Sequence, residues 1–571
     1  MRKRSLLTLI GAVVLLFGLS IPMMQCAPSG EEVTPPEEEI TPPEEEVTPP
    51  GEGEIQYGGR LNIGFVRPLD SLTLTGSMML TNWGCLVDML IYDNLTHYNL
   101  PPDYFKFNPG LVQSYEVSED GLTWTLHLVE NARWHDGVPV TAEDVKFTCD
   151  YLLSTIGWHE PTMCWDHIDV IDDYTLKFVN TQVLATTNTP TWWTWDPIIP
   201  KHIFEPYKDD PESYANEEAI GCGPFKLKEF RPSEYMWLVA NEDYWGGRPY
   251  VDEVVFRYYS STDTMLMALR KGEIDVLGDV SVPPVALEDM RENPDIEVEQ
   301  VPGISLYFLT FNLHKDTPLR DKNVRHAIAY GIDRDRIIDM VYLGYAEKYD
   351  GWVYEEDSMH NPNLPQYDYS LDKAKEILDG AGYVDSDGNG IRNDPATGED
   401  LAFDLCCPSS EINMVKTCTL ITEMLPDIGI SVDFRTMDYD AWLAIVYNPP
   451  ADGYEISLTW EEPGPAPYAD WVWEEAMSWG AGGDWWNAAY YNNPHFDELS
   501  NSVGSAQSME ERRGCMYEMQ EIMAEDLPYA FIARPKWLSA YRTDKFEGWV
   551  NEIGGPVSWL NPWSILRVHL K

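Results

Sequence analysis

The chain has 571 residues, of which 44% are hydrophobic and 12% aromatic, enough apolar material for a large buried core. A single core stops growing near ~250–300 residues, so we expect several lobes. The formal net charge of −56 gives a surface that repels nucleic acid and anionic lipid, which excludes nucleic acid as a partner.

The first residues predict an export signal. Basic residues at positions 2–4 precede an apolar stretch shorter than the ~20 residues that a bilayer-spanning helix needs. We therefore predict a signal peptide over residues 1–25. Cys26 stands where a secreted lipoprotein is cleaved and acylated, although Gln25 occupies a place where a small residue is usual. Plain secretion with an ordinary thiol at Cys26 is the alternative.

Residues 26–54 are predicted to form a tether behind this lipid anchor. They contain three near-copies of a short Pro/Glu unit and no basic residue. Proline fixes φ and like charges repel, so the segment should stay extended at ~3 Å per residue. Such a tether would hold the folded part at the outer face of the cell membrane.

The nine cysteines of the chain fit an oxidising compartment. Eight remain besides the anchor, and eight cysteines allow 105 full pairings, so the connectivity stays open. Sequence proximity favours Cys149 with Cys164, and Cys406 or Cys407 with Cys418.

Periodicity predicts the elements in chain order. Alternating apolar residues predict strands at 60–66, 122–128 and 175–179, and Thr141 with Asp144 predicts a helix N-terminus. Beyond residue 200 the sequence pattern changes, and predicted strands alternate with longer predicted helices. Further strands are predicted near 225–227, 254–259, 274–276 and 305–311, helices at 262–271, 322–330, 334–342 and 371–378, and strand and loop texture over 537–567.

Several motifs resemble one known family. Residues 134–147, WHDGVPVTAEDVKF, are similar to the signature of the family-5 extracellular solute-binding proteins, the oligopeptide, dipeptide and nickel-binding group of bacterial ABC importers. Further matches follow in the family's order at residues 221–225, 241–249, 272–275, 312–334, 372–383 and 493–497. Together they span nearly all of residues 59–571.

The resemblance implies an α/β fold of the periplasmic-binding-protein type II class. Two α/β lobes would close on a ligand like a clamp, and a smaller third lobe would be inserted into the first. The matching motifs assign residues 55–90, 197–301 and 536–571 to lobe I, 91–196 to lobe II and 302–535 to lobe III.

The resemblance also implies a ligand site near Trp460. In the family a strand here ends in a tryptophan, and in peptide binders a nearby acid captures the amino terminus of the ligand. Trp460 matches this pattern, whereas Glu461 and Glu462 stand in place of the usual aspartate. Either glutamate could neutralise an ammonium in a closed cleft, or both could be solvated loop charges.

Aromatic residues supply a second set of candidates for ligand binding: Trp192, Trp193, Trp485 and Trp486. Flat aromatic faces suit apolar side chains or sugar rings, which raises an oligosaccharide as the alternative ligand. Residues 385–391 have calcium-loop spacing, but Ala396 occupies the twelfth position, so we predict a turn. We expect no metal, no cofactor and no catalytic residue.

The predicted function is therefore binding rather than catalysis. A monomeric, membrane-tethered protein would capture a solute, with a peptide favoured, and deliver it to the permease and ATPase subunits of an ABC transporter. An oligosaccharide-binding member of the same family is the first alternative. A secreted carboxylate-dependent hydrolase and a surface ligand sensor are alternatives of other classes.

Overall fold

Four β-sheets organise the chain in the computed structural model. It describes residues 55–67, 69–73, 82–97, 107–155, 165–181, 183, 197–278, 280–447, 453–462, 487–551, 554–557 and 561–571. The predicted signal peptide, Cys26 and the tether lie outside the described residues. Residues Ile55–Lys571 form one compact unit.

The strands, numbered along the chain, are β1 Arg60–Phe65, β2 Val112–Val117, β3 Thr123–Leu128, β4 Trp165–Asp172, β5 Thr175–Asn180, β6 Phe225–Arg231, β7 Tyr235–Ala240, β8 Glu253–Tyr258, β9 Val276–Leu277, β10 Ile296–Val301, β11 Leu306–Phe311, β12 Ala346–Glu347, β13 Ala402–Pro408, β14 Ser431–Met437, β15 Ile456–Glu461, β16 Tyr529–Pro535, β17 Trp537–Arg542, β18 Phe546–Glu547 and β19 His569–Leu570.

The α-helices are α1 Asn82–Ile91, α2 Ala142–Thr155, α3 Lys201–Phe204, α4 Thr262–Lys271, α5 Leu287–Arg291, α6 Lys322–Gly331, α7 Arg334–Val341, α8 Leu371–Gly380, α9 Ile412–Met424, α10 Tyr439–Val446, α11 Pro494–Ser505, α12 Met509–Asp526 and α13 Trp563–Arg567.

A seven-stranded sheet has the order β10-β17-β9-β1-β8-β7-β6. Its central strand β1 runs parallel to both β8 and β9. The C-terminal strand β17 returns to this sheet and pairs antiparallel with β10. Strands from near both ends of the compact unit therefore share one sheet.

A four-stranded antiparallel sheet, β2-β3-β5-β4, carries helix α2. Its core includes the buried side chains of Trp124 and Trp134. Asp144 Oδ2 accepts from the backbone N–H of Thr141 at 2.9 Å and from its hydroxyl at 3.1 Å. These contacts hold the start of α2 where the Thr141 and Asp144 pattern predicted it.

A six-stranded sheet has the order β12-β16-β11-β15-β13-β14. Strand β13 is parallel to β14 and β15, while β11 is antiparallel to β15 and β16. Helices α6, α8 and α9 contribute buried residues to the core on this sheet. The boundaries of the three lobes stay a prediction.

Two short links join the six-stranded sheet to the seven-stranded sheet, one from β10 to β11 and one from β16 to β17. They pass close to each other, because a Cβ on Gly303 would lie 1.8 Å from the carbonyl oxygen of Pro535. Buried Arg534 donates from Nε to the carbonyl oxygen of Gly303 at 2.8 Å and from Nη1 to Glu356 at 2.9 Å. The junction is thus tightly packed and internally hydrogen-bonded.

The predicted turn in residues 385–391 is present. The carboxylate of Asp385 accepts the backbone N–H of Gly388 at 2.7 Å and that of Gly390 at 3.0 Å. Both glycines have positive φ, 79° and 90°, which disfavours a side chain. Within the described ranges, no group of three or more His, Cys, Asp and Glu residues is placed to hold a metal ion.

The expected disulfide bridge among the cysteines of the six-stranded sheet does not form. Cys406, Cys407 and Cys418 are free thiols, so the expected bridge from Cys406 or Cys407 to Cys418 is wrong for this structure. Cys407 and Cys418 are in side-chain contact but unbonded, and both are buried in the core of the six-stranded sheet. Cys164, the expected partner of Cys149, lies outside the described residues.

Among the helices of the described residues, none combines the length and the apolar character required to cross a membrane.

Candidate functional site

The candidate site lies at one edge of the six-stranded sheet, where β15 ends. The parallel strands β13, β14 and β15 end at the same edge, and such carboxyl edges are where open α/β sheets bind ligands. Trp460 and Glu461 are the last residues of β15 and pair with Tyr307 and Leu306 of β11. The predicted acid is therefore part of a strand and not of a loop.

An aromatic cluster surrounds Trp460, which is partly exposed. Its ring stacks on Trp442 with centroids 5.5 Å apart and planes 6° from parallel. Tyr307 and Tyr439 flank it at 6.4 Å and 6.3 Å. Trp442 is buried and donates from Nε1 to Ser457 Oγ at 2.9 Å, so the cluster is anchored to the sheet.

Two carboxylates follow the aromatic cluster. Glu461 Oε1 accepts a hydrogen bond from the Tyr447 hydroxyl at 2.9 Å, and Glu462 Oε1 accepts one from the Ser305 hydroxyl at 3.0 Å. Both glutamates are partly buried. The Tyr447 hydroxyl that bonds Glu461 is neutral, so a cation that enters the site could pair with this carboxylate.

Burial raises the pKa of Glu461 to about 8, and the charge of Glu462 raises it further in the same direction. The hydrogen bond from Tyr447 opposes this shift by favouring the ionised form. A carboxyl whose pKa lies near neutrality gains most from a positive partner, because that partner repays the desolvation of the charged form.

Residues beyond the six-stranded sheet also influence Tyr439. Tyr439 is 39% exposed, and its pKa is raised by burial and by the charges of Glu411 and Glu461, while Arg67 lowers it. Arg67 follows β1, whereas Tyr439 begins α10 beside the six-stranded sheet. Residues next to both sheets therefore act on the charge state of Tyr439.

The structure brings together Trp460, Glu461 and Glu462 of the predicted ligand-binding residues. The other candidates, Trp192, Trp193, Trp485 and Trp486, lie outside the described residues. Sequence reasoning missed the flanking residues of the site: Ser305, Tyr307, Tyr439, Trp442 and Tyr447. The alternation of β11 and the i,i+3 spacing on α10 were the available signals.

The fold and the site are those of a binding protein built on two α/β sheets. The family model described as "Bacterial extracellular solute-binding proteins, family 5 Middle" matches residues 106–479. The chain therefore belongs to the bacterial extracellular solute-binding proteins of family 5.

Relatives with the same fold carry different ligands. The oligopeptide-binding protein AppA of Bacillus subtilis is 26% identical over 510 residues, which cover 85% of this chain and 87% of the relative. The structure of AppA in complex with a nonapeptide superposes with a TM-score of 0.72 at 22% identity, covering 91% of this chain and 100% of that chain. NikZ from Campylobacter jejuni in complex with Ni(L-His) gives 0.73 at 18% identity, covering 89% and 99%.

These likenesses confirm the predicted fold class, a type II periplasmic-binding-protein fold built from α/β sheets. Membership of a solute-binding family also confirms the prediction of a non-enzymatic protein, because its relatives are substrate-binding proteins of ABC transporters. The predicted ligand-binding roles of Trp460, Glu461 and Glu462 stay predictions.

Proposed function

We propose that the protein captures a peptide in the cleft beside Trp460 and delivers it to an ABC permease. The observation that carries this proposal is the partly buried pair Glu461 and Glu462 next to an aromatic wall. The α-ammonium of a peptide would bind the pair, and its first side chains would pack on Trp460. The naming of the relative AppA as an oligopeptide-binding protein supports the same ligand class.

Capture would proceed by closure of the two large lobes about the paired links at Gly303 and Pro535. A ligand shifts a two-state equilibrium only by its differential affinity for the two states. A peptide that contacts Glu461 on one wall and the β1 edge on the other gains contacts only when the walls approach. Closure therefore follows from ligand contacts made to both sheets.

Cys26 would anchor the protein by a lipid to the outer face of the cell membrane, and the protein would act as a monomer. The acidic tether of residues 26–54 supports the anchor, because its length would let the folded part reach a permease. Mass spectrometry of the mature N-terminus tests it. We expect an acylated Cys26, and an unmodified cysteine or cleavage at another position would contradict the anchor alone.

An oligosaccharide is the second candidate ligand, favoured by one observation, the parallel stack of Trp460 on Trp442. Sugar rings pack on such faces, but a neutral sugar would not exploit the raised pKa of Glu461. A surface sensor that passes on ligand information would use the same site.

Thermal-shift measurements with defined ligand sets test the proposal. A pool of random tripeptides to pentapeptides should raise the melting temperature of the full chain, and neutral oligosaccharides should not. The variant Glu461→Gln should weaken the peptide response, because it removes a charge that pairs with the ammonium. The matched control Glu498→Gln removes an exposed carboxylate on α11 and should respond like the native protein. Stabilisation by oligosaccharides alone would overturn the peptide assignment.

A further inference from the structure

A partly buried carboxylate lies beside the candidate site without a partner. Glu411 follows β13 and precedes α9, at the same edge of the six-stranded sheet as Trp460. A carboxylate at the start of a helix often accepts hydrogen bonds from the first free N–H groups, but the side chain of Glu411 caps none of them. Within the described ranges it accepts no hydrogen bond and forms no ion pair. The fold therefore leaves this charge unused.

The connection after β13 is held against the connection after β14. The backbone N–H of Ser409 donates to the carbonyl oxygen of Met437 at 2.7 Å. Glu411 comes shortly after Ser409 in the chain, and Tyr439 shortly after Met437. Burial is the largest cause that raises the pKa of Tyr439 and of Tyr307, and the charge of Glu411 is the next cause for both. Glu411 therefore lies close to two rings of the aromatic cluster.

Apolar surface adjoins this carboxylate. Ile412, the next residue, is 66% exposed, and Tyr439 is 39% exposed. The side chains of lysine and arginine combine a terminal charge with an apolar stem that packs on such surface. A cation also gains from the face of an aromatic ring within about 6 Å of it. A carboxylate beside an exposed aliphatic side chain and an exposed ring therefore fits a long cationic side chain better than a short or a neutral one.

Glu411 is separate from the carboxylates assigned to the α-ammonium of the peptide. Glu461 is the last residue of β15, whereas Glu411 follows β13, and these two parallel strands are neighbours in the sheet. Neighbouring strands lie ~4.8 Å apart, a distance that one or two residues of a peptide can span. The net charge of −56 also draws positively charged ligands to the protein. A peptide with its ammonium at Glu461 can thus place one of its first side chains at Glu411.

We propose that Glu411, Ile412 and Tyr439 form a side-chain subsite that selects peptides with a lysine or arginine close to the amino terminus. The charged end of that side chain pairs with Glu411, and its stem packs on Ile412 and Tyr439. The inference rests on the proposed function and narrows it, since the preferred ligand becomes a peptide with two positive charges near one end. A peptide without the basic side chain still binds through its ammonium, with lower affinity.

Isothermal titration of the full chain with matched tripeptides tests the subsite. Three alanine tripeptides carry one lysine at the first, second or third position. Each is compared with the peptide that has norleucine there, which keeps an aliphatic stem and lacks the charge. A hydrogen bond to a charged group is worth about a factor of ten in affinity, so lysine should bind roughly 10-fold more tightly than norleucine at the first or the second position. At the third position the two should bind alike.

The variant Glu411→Gln should bring the lysine-to-norleucine affinity ratio close to one, and Glu411→Asp, which keeps the charge, should retain part of it. Glu423→Gln removes an exposed carboxylate at the other end of α9 and should leave the ratio unchanged. Equal affinities at all three positions, a ratio that survives Glu411→Gln, or a ratio lost equally in Glu423→Gln overturns the subsite while peptide binding stands. Failure of all six peptides to bind overturns the proposed function and the subsite together.

Discussion

At the scale of single residues, the carboxyl of Glu461 is the group whose charge state matters most. Its pKa of about 8 results from burial and from the neighbouring charge of Glu462, against the hydrogen bond from Tyr447. At neutral pH the ligand-free protein therefore holds a proton here that a solvated glutamate would have lost. Binding and folding should both be linked to that proton.

The first prediction concerns proton release on binding. At pH 7 an ammonium that enters the site favours the ionised form of Glu461, so peptide binding should release a proton to the buffer. Near pH 9 Glu461 is already ionised and the α-amino group of the free peptide, with an ordinary pKa of ~7.7–8.0, is mostly neutral, so binding it as an ammonium should take up a proton instead. Titration calorimetry in two buffers of different ionisation enthalpy measures this. An undiminished release in Glu461→Gln would assign the proton to another group.

The second prediction concerns stability without ligand. Because the folded pKa of Glu461 is raised, the unfolded state loses its proton first, and stability should fall as the pH rises from about 4.5 to about 8. The variant Glu461→Gln should remove part of this decline and gain on the order of 1 kcal/mol at pH 8 relative to pH 5. Urea unfolding at both pH values measures the difference, and a parallel decline in the variant would contradict it.

Sequence reasoning found the residues of the site that are adjacent in the chain. Trp460, Glu461 and Glu462 are consecutive and fall in one motif. Ser305 and Tyr307 reach them only through the register of β11 against β15, which pairs residues more than 150 positions apart. Such pairing depends on the whole sheet, so the alternation of β11 could show which of its residues share a face but not which residues of β15 they meet.

At the scale of elements, the paired links between the two sheets are the most constrained feature. Gly303 lies so close to the backbone of Pro535 that a Cβ has no room. The Arg534 side chain, on the other link, donates a hydrogen bond to the carbonyl oxygen of Gly303. These contacts hold the two links side by side. The proposed closure would therefore have to bend both links together.

The third prediction tests this junction. The variant Gly303→Ala places a methyl group against a backbone carbonyl, so it should separate the links and cost ~1–3 kcal/mol of unfolding free energy, or more. The control Gly514→Ala lies within α12 with no atom near the new methyl and should stabilise by ~0.5–1 kcal/mol. Urea denaturation measures both. A Gly303→Ala protein as stable as the native one would show that the links have room to separate.

Periodicity predicted the elements whose polar and apolar faces are distinct. The helix over Thr262–Lys271 ends before Gly272 with φ of 74°, as expected for its sequence. Helix α12 received no prediction, because its buried face includes Arg512 and Gln520 among methionines. Helix α13 lies in the segment predicted as strand and loop, since five residues are too few to show a period.

At the scale of the whole molecule, the charged side chains at the ends of the parallel strands differ between the two sheets. Carboxylates lie at the end of β15, and arginines lie at the ends of β1 and β8. A ligand that bridges the two stabilises the closed arrangement through contacts that are absent when the walls are apart. Binding and closure are then one event.

The fourth prediction follows from the proposed coupling of ligand binding to closure of the two lobes. Saturating peptide should decrease the radius of gyration of the full chain, measured by small-angle X-ray scattering. The variant Glu461→Gln should need more peptide to produce the same decrease, because the ammonium of the peptide has lost its charged partner. Peptide binding with an unchanged radius would show that capture does not involve closure.

Native mass spectrometry of the full chain with random tripeptides to pentapeptides tests the central claim most directly, since it reports binding and turnover together. The account predicts a saturable complex with one peptide per chain, and the peptide released on denaturation should keep its original mass. A chain that retains no peptide, or that returns shortened peptides, would contradict a peptide-binding protein.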